Sequence, residues 1–255
     1  MKIANVVLGD VCVKPDWTRL RDWLKGHRPD QRPGIVTLQK IGPSEPRHEE
    51  EIRKVGYEGW YLNHKENYLG VAILADRDFP SRHDPSPPSV LDRELPDDDR
   101  NESRFLTVSI GDLLVSSIYA PYCKLNGPTV DWLNYLRTHV CKEGFGQRKS
   151  LLCGDFNVPK IDDKSKGRLK QALGELKELG FCDLYRQAHP CPEEMPGYTR
   201  HCGRKYPSRL HLILASRSLA QRLGSAYMEP EPGLWPRKDA PPLVVGLDDI
   251  ECVNG

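Results

Sequence analysis

Leu152-Cys153-Gly154-Asp155-Phe156-Asn157 is a short apolar run that ends in a carboxylate and an amide. An apolar run of this length bounded by polar residues reads as a strand buried on both faces. Its carboxyl end then delivers Asp155 and Asn157 to one edge of a sheet. Outward from it, four further stretches carry the same signature: Leu38-Gln39-Lys40, Gly70-Val71-Ala72-Ile73-Leu74, Tyr119-Ala120-Pro121 and Arg209-Leu210-His211-Leu212-Ile213-Leu214. Each reads as part of a buried strand, most with a polar group at or near one end.

In this order, spanning nearly the whole chain, the five stretches resemble the exonuclease III and abasic-endonuclease branch of the endonuclease/exonuclease/phosphatase family. The resemblance implies an exonuclease III-like α/β fold: a four-layer α-β-β-α sandwich of two packed mixed β-sheets flanked by helices. It also implies a site in which one divalent metal and a set of acids, amides and a histidine hydrolyse a phosphodiester. A hard cation of this kind needs oxygen ligands and stabilises charge on the phosphorane and the leaving oxygen.

Half of the eight aligned site positions differ in kind from that pattern. The family's first-strand Asn falls on Val7, and the Glu of its Leu-Gln-Glu motif falls on Lys40. Its Arg-Ile-Asp-Tyr-Ile-Leu becomes Arg209 to Leu214, so His211 stands where the resemblance implies an Asp that orients the catalytic His. That His falls on Ala240, in Lys238-Asp239-Ala240-Pro241. Tyr119, Asp155, Asn157 and Asp239 are retained. The candidate catalytic residues are therefore Lys40, Tyr119, Asp155, Asn157, His211 and Asp239.

Lys40 bears most directly on the metal. An ammonium in place of a carboxylate changes the local charge by about two units where a dication would sit, and two cations a few ångströms apart repel strongly in a partly dry cleft. The same ammonium can sit beside Asp155 or Asp239 and neutralise them. No magnesium site and no cofactor are expected. A charge-balancing ion pair in an inert cleft accounts for Lys40 equally well.

With 255 residues the chain is long enough for one substantial core, and residues 1–255 are expected to form a single exonuclease III-like domain. Thirty-seven basic against thirty-six acidic residues provide no global attraction to polyanions. The chain opens directly on strand-like Lys2-Ile3-Ala4-Asn5-Val6-Val7-Leu8, without the apolar core of a signal peptide or a run able to span a bilayer. Eight scattered cysteines, several inside expected strands, suit reduced thiols, and a cytoplasmic location follows as an expectation. His189, Cys191, His201 and Cys202 cluster in sequence but lack a paired knuckle spacing, which argues against zinc.

The coarse organisation alternates strands and helices. Helices are expected at 16–26, 46–55, 129–141 and 168–179, the last with Leu169, Ala172, Leu173, Leu176 and Leu179 on one stripe and Gly180 as its stop. Strands are expected at 2–8, 35–38, 60–64, 69–75, 150–154, 182–185, 209–214, 225–228 and 243–248. Residues 104–110 and 113–119 read as a hairpin turning at Gly111-Asp112. Residues 76–104 form a Pro-rich acidic insertion with Asp97-Asp98-Asp99, read as a long loop.

Two features bear on the substrate. Where the resemblance implies a platform of aromatics for DNA, the chain reads Tyr198-Thr199-Arg200-His201, which removes the stacking surface. Arg200, His201, Arg204, Lys205 and Arg209 fall within ten residues that contain no acid, a pattern suited to an anion. Arg200, His201 and Arg204 are the candidate substrate-binding residues. Lys160, Lys164, Lys166, Arg168 and Lys170 form a second basic group that reads as solvated surface.

Two functions follow. One is a repurposed, metal-independent acid–base enzyme acting on a small molecule, anionic or not, in a condensation or cyclisation of secondary metabolism. The other is an inactive pseudonuclease that binds nucleic acid or a protein partner. The missing platform, the acidic insertion and the balanced charge weigh against nucleic acid without removing it. No membrane partner is expected, and the sequence does not reveal the oligomeric state.

Overall fold

The computed structural model describes residues 1–8, 16–28, 31–42, 46–62, 70–79, 89–92, 104–121, 127–158, 167–192, 209–229 and 241–248. Among these, twelve strands form two six-stranded sheets. The first contains β1 (Lys2–Val7), β2 (Ile35–Ile41), β3 (Tyr57–Leu62), β4 (Gly70–Asp76), β11 (Leu223–Met228) and β12 (Leu243–Leu247), in the order β11-β12-β1-β2-β4-β3. The second contains β5 (Ser89–Asp92), β6 (Phe105–Ile110), β7 (Leu113–Tyr119), β8 (Lys149–Asp155), β9 (Phe181–Asp183) and β10 (His211–Ser216), in the order β5-β6-β7-β8-β10-β9. Each sheet has one parallel pair at its centre, β1 with β2 and β7 with β8, and antiparallel pairs elsewhere. The two sheets thus repeat one pattern, in which β8 corresponds to β2.

The continuous apolar runs follow from burial on both strand faces. Ile3, Ile35, Ile73, Val115, Leu151 and Ile213 meet between the sheets. Residues of alternate parity point outward. Ala4, Val6, Val36 and Leu74 pack beneath α1 (Trp17–Gly26) and α2 (Pro46–Lys54), and Leu114, Leu152 and Leu212 pack beneath α3 (Gly127–Lys142) and α4 (Arg168–Glu178). These layers are the α-β-β-α sandwich that the family resemblance implies. Asp16 caps α1 by accepting the Arg19 amide, and Gly180 takes the left-handed conformation just beyond α4. The hairpin turns at Gly111-Asp112 as its sequence requires.

Three local readings change. Within 76–104, Ser89–Asp92 is an edge strand paired with β6 rather than loop, while 80–88 and 93–103, with Asp97-Asp98-Asp99, lie outside the described residues. The strand expected at 182–185 stops at Asp183, whose carboxylate accepts the Arg186 amide and starts the short helix α5 (Leu184–Ala188). Arg209 is only 2 % exposed and makes a forked pair with Asp183, Nη2 to Oδ2 at 2.7 Å and Nη1 to Oδ1 at 3.2 Å, with its guanidinium over the Tyr185 ring. It therefore supports the sheet edge and does not belong to a solvent-facing basic patch.

Burial alone would push the Asp183 carboxyl upward. The charges of Arg209 and Lys177, with hydrogen bonds from Arg209 and the Arg186 amide, reverse this and hold it below its ordinary value. A depressed carboxyl contributes stability above its unfolded pKa of about 4, and that contribution is lost as pH falls through the lower folded value. Asp183→Asn should lower stability at pH 7 by about 3–5 kcal/mol, because Arg209 is left buried without its counter-charge. In urea unfolding followed from pH 7 downward, the deficit should shrink below about pH 4. A deficit independent of pH would contradict this assignment.

Candidate active site

A bulge at the end of β2 creates the site. Gln39 lies opposite Val71 and Ile41 opposite Gly70, so Lys40 is the extra residue of the bulge. It adopts φ +56°, a left-handed conformation that costs a side-chain-bearing residue about 1–3 kcal/mol. The bulge aims Lys40 into the space between the sheets, and its Nζ lies 3.2 Å from Asp155 Oδ2.

Asp155 ends β8, and the strand register fixes its neighbours. Tyr119 of β7 lies opposite it on one side and His211 of β10 on the other, so three strands present Tyr119, Asp155 and His211 in one row. His211 Nε2 stands 3.8 Å from the same Asp155 Oδ2. Gly154 permits this geometry, since a Cβ there would collide with the Ile118 carbonyl oxygen. Asp155 Oδ1 accepts the Asn157 amide at 3.1 Å. Asn157, at φ +51°, donates its Nδ2 to the Ala120 carbonyl at 2.6 Å. The Asn157 side chain is therefore committed to holding the β7 and β8 ends together.

Exposure separates the roles. Asp155 has no exposed surface, His211 and Tyr119 are nearly covered, and the Lys40 side chain is 17 % exposed. Within this group the lysine is the member that reaches solvent. Lys40 neutralises Asp155 Oδ2 without a well-directed hydrogen bond, so that oxygen's hydrogen-bonding capacity is unmet among the described residues. Burial pushes the Tyr119 phenol above its ordinary range against the opposing pull of Lys40; Asp155 adds to the rise and Arg104 opposes it. The phenol thus keeps its proton at neutral pH.

Behind this row, polar groups extend into the inter-sheet layer. Gln39 Nε2 donates to Ser117 Oγ at 3.1 Å, and Ser117 Oγ donates to the Leu38 carbonyl at 2.9 Å, tying the sheets together. Thr37 Oγ1 donates to Asn5 Oδ1 at 2.8 Å. Asn5 Nδ2 and Gln39 Oε1 have no hydrogen-bond partner among the described residues. Burial pushes the Cys153 thiol up to about 12, with a side-chain hydrogen bond between it and Thr37 pulling the other way, so it stays a thiol. Val7, where the resemblance implies an Asn, is a buried apolar residue opposite Gln39.

Arg104 is a site neighbour that the sequence does not reveal. Its guanidinium lies 4.8 Å from the Tyr119 ring centroid, its Nη1 donates to the Tyr119 carbonyl at 3.3 Å, and Lys40 Nζ lies 5.4 Å from the same ring. It precedes an ordinary hairpin strand and carries no motif, and its proximity arises only from the β6–β7 pairing. Ser117 is equally hidden, as one of several small polar residues in β7. Of the residues expected at the site, Lys40, Tyr119, Asp155, Asn157 and His211 are brought together. Asp239, Arg200, His201 and Arg204 lie outside the described residues, as do Ala240, Cys202 and the aromatic-platform segment. His189 bonds the Ala226 carbonyl through Nε2 at 2.7 Å.

The divalent metal implied by the family pattern does not fit the donor set among the described residues. Where the resemblance places a metal-binding carboxylate stands the Lys40 ammonium, whose charge is directed at the buried Asp155 carboxylate. Among the described residues no group of three His, Cys, Asp or Glu side chains is placed to hold a metal ion.

No family model matches the chain, and no curated protein does. Solved structures do. The chain resembles an AP endonuclease from Archaeoglobus fulgidus (TM-score 0.78, 24 % identity, covering 98 % of this chain and 100 % of that one). It also resembles a variant of NExo from Neisseria, described as a 3′ phosphatase and bound to a product DNA hairpin (TM-score 0.71, 21 % identity, 97 % and 99 % covered). A third match is the 3′-5′ exonuclease NExo from Neisseria meningitidis (TM-score 0.70, 21 % identity, 97 % and 100 % covered). The chain therefore has the exonuclease III-like fold over essentially its full length. Among the described residues no helix is long and apolar enough to cross a membrane.

The Lys40–Asp155 contact predicts a non-additive pair of substitutions. Lys40→Met leaves a covered carboxylate without its cation and should destabilise by about 3–5 kcal/mol. Adding Asp155→Asn should recover a large part of that loss. Additive effects in chemical denaturation would show that the two charges do not depend on each other.

Proposed function

We propose that the protein is a metal-independent acid–base enzyme acting on a small molecule in the cleft where Lys40 and Asp155 meet. The observation that carries this reading is the 3.2 Å approach of the Lys40 ammonium to the buried Asp155 carboxylate. Asp155 accepts and returns protons through its contacts with Lys40 and His211, since its own surface is covered. Lys40 meets the substrate, and its charge stabilises negative charge developing there. Tyr119 is a protonated donor beside it, while Asn157 and Gln39 hold the strand ends in register. Asp239 supplies a further acid, and Arg200, His201 and Arg204 hold an anionic group of the substrate. Condensation or cyclisation of a small aldehyde with an amine is the reaction class these groups suit, because each step is a proton transfer coupled to carbonyl chemistry.

Such an activity should survive chelation. With phosphorylated aldehydes and simple amines as substrates in EDTA, product formation followed by mass spectrometry should match that of untreated protein. Asp155→Asn should reduce it by at least about a hundredfold. Activity that vanishes in EDTA and returns with magnesium would overturn the proposal.

The fold shared with NExo, whose structure holds a DNA hairpin, favours a second reading as a nucleic-acid-binding pseudonuclease. Fluorescence anisotropy of a labelled abasic-site duplex at two salt concentrations separates the readings. The enzyme reading expects no binding at low salt; submicromolar affinity that falls steeply with salt would favour the pseudonuclease.

A further inference from the structure

We infer that Lys40 is a nucleophile that forms an imine with the carbonyl carbon of a small anionic aldehyde, an inference that rests on the metal-independent acid–base reading. The group that reacts has to be reached by substrate, and within the Tyr119–Asp155–His211 row and its lysine, Lys40 is the solvent-reaching member. Its amine is also pre-positioned. The bulge holds the backbone at φ +56°, and the ammonium is held between Asp155 Oδ2 and the Tyr119 ring. Little side-chain freedom is left to lose when a carbonyl arrives, which favours attack.

The proton inventory balances without an oxidant or a reductant. Asp155 Oδ2 takes one proton from the Lys40 ammonium and leaves a neutral amine. The Nζ lone pair attacks the carbonyl carbon, the C–O π electrons move to oxygen, and that oxygen takes a proton from the attacking nitrogen to give a neutral carbinolamine. The nitrogen lone pair then expels the hydroxyl group, which leaves as water with the proton returned from Asp155. The net change converts one ammonium and one carbonyl into one iminium and one water. A single positive charge faces Asp155 before and after the reaction, so the carboxylate regains its counter-charge at the end. That conservation suits a lysine to this position in a way it would not suit a residue that loses its charge on reacting.

Arg104 favours an anionic group on the substrate. It is half-buried, and its guanidinium lies over the same Tyr119 ring that Lys40 approaches. The positive charge of Arg104 beside that ring attracts a phosphate or carboxylate on a small aldehyde whose carbonyl meets Lys40.

The test is reductive trapping on the full chain. Protein is incubated with glyceraldehyde 3-phosphate and sodium cyanoborohydride, and adducts are located by peptide mass spectrometry. The expected result is one adduct per chain at Lys40, forming at least about tenfold faster than at other lysines and than with unphosphorylated glyceraldehyde. Lys40→Arg keeps a cation beside Asp155, so it should fold, as checked by circular dichroism, and should lose the adduct. Labelling spread over surface lysines, or undiminished in Lys40→Arg, would overturn the inference. Equal labelling by glyceraldehyde would overturn the anionic class, and trapping by an abasic-site duplex alone would overturn the small-molecule class. EDTA-resistant turnover that persists in Lys40→Arg but is lost in Asp155→Asn would overturn the imine and leave the acid–base reading intact. Loss of all turnover in EDTA would remove the reading on which both rest.

Discussion

A cation and an anion meeting between two sheets is the constraint on which this site depends. Asp155 has no exposed surface, and a carboxylate in that setting persists as an anion only with a counter-charge and hydrogen bonds around it. Lys40 supplies the charge from the facing sheet, and the Asn157 amide supplies a hydrogen bond to the other oxygen. The Gln39–Ser117 bridge then fixes the spacing of the two sheets at the same end of the sandwich. Remove the ion pair and the sandwich retains its apolar layers, but the polar end loses the charge balance that makes it tolerable.

Backbone strain accompanies that placement at two corresponding positions. Among the described residues, Lys40 and Asn157 are the non-glycine residues with positive φ, and they interrupt or follow β2 and β8, the matching central strands of the two sheets. Strain of this kind persists where the surrounding structure over-determines it. Here the β2 bulge turns a lysine inward, and the turn after β8 directs an amide onto the Ala120 carbonyl. A repeated sheet pattern thus brings the two strand ends together, one contributing the cation and the other the anion.

Much of this is legible in the chain. Continuous apolar runs such as Leu151 to Gly154 mark strands buried on both faces, and the leucine stripe from Leu169 to Leu176 marks a helix lying on one of them. Ordered motifs lead to the row of Tyr119, Asp155 and His211, because strand pairing converts their sequence positions into lateral neighbours. Arg104 and Ser117 are not legible, since their roles depend on which strands are adjacent. Arg209 looks like part of a basic patch because a cluster in sequence carries no sign of a buried partner, and Asp183 is 26 residues away. Ser89–Asp92 stays hidden because a short edge strand among prolines has too few residues to show alternation. Asp183 ends a strand and caps a helix with one side chain, a switch that periodicity cannot anticipate.

The proposed function requires that the Lys40 ammonium, standing where the resemblance places a metal-binding carboxylate, keeps a dication out, and magnesium titration of two proteins tests this. Isothermal titration calorimetry and scanning calorimetry are run on the natural chain and on Lys40→Glu, each at pH 7 and after dialysis against EDTA. No saturable magnesium binding by the natural chain is expected in the millimolar range, with binding and a rise in Tm emerging in Lys40→Glu, where a second carboxylate faces Asp155. Saturable binding by the natural chain as tight as that of Lys40→Glu would contradict it, because Lys40 would then not be excluding the cation.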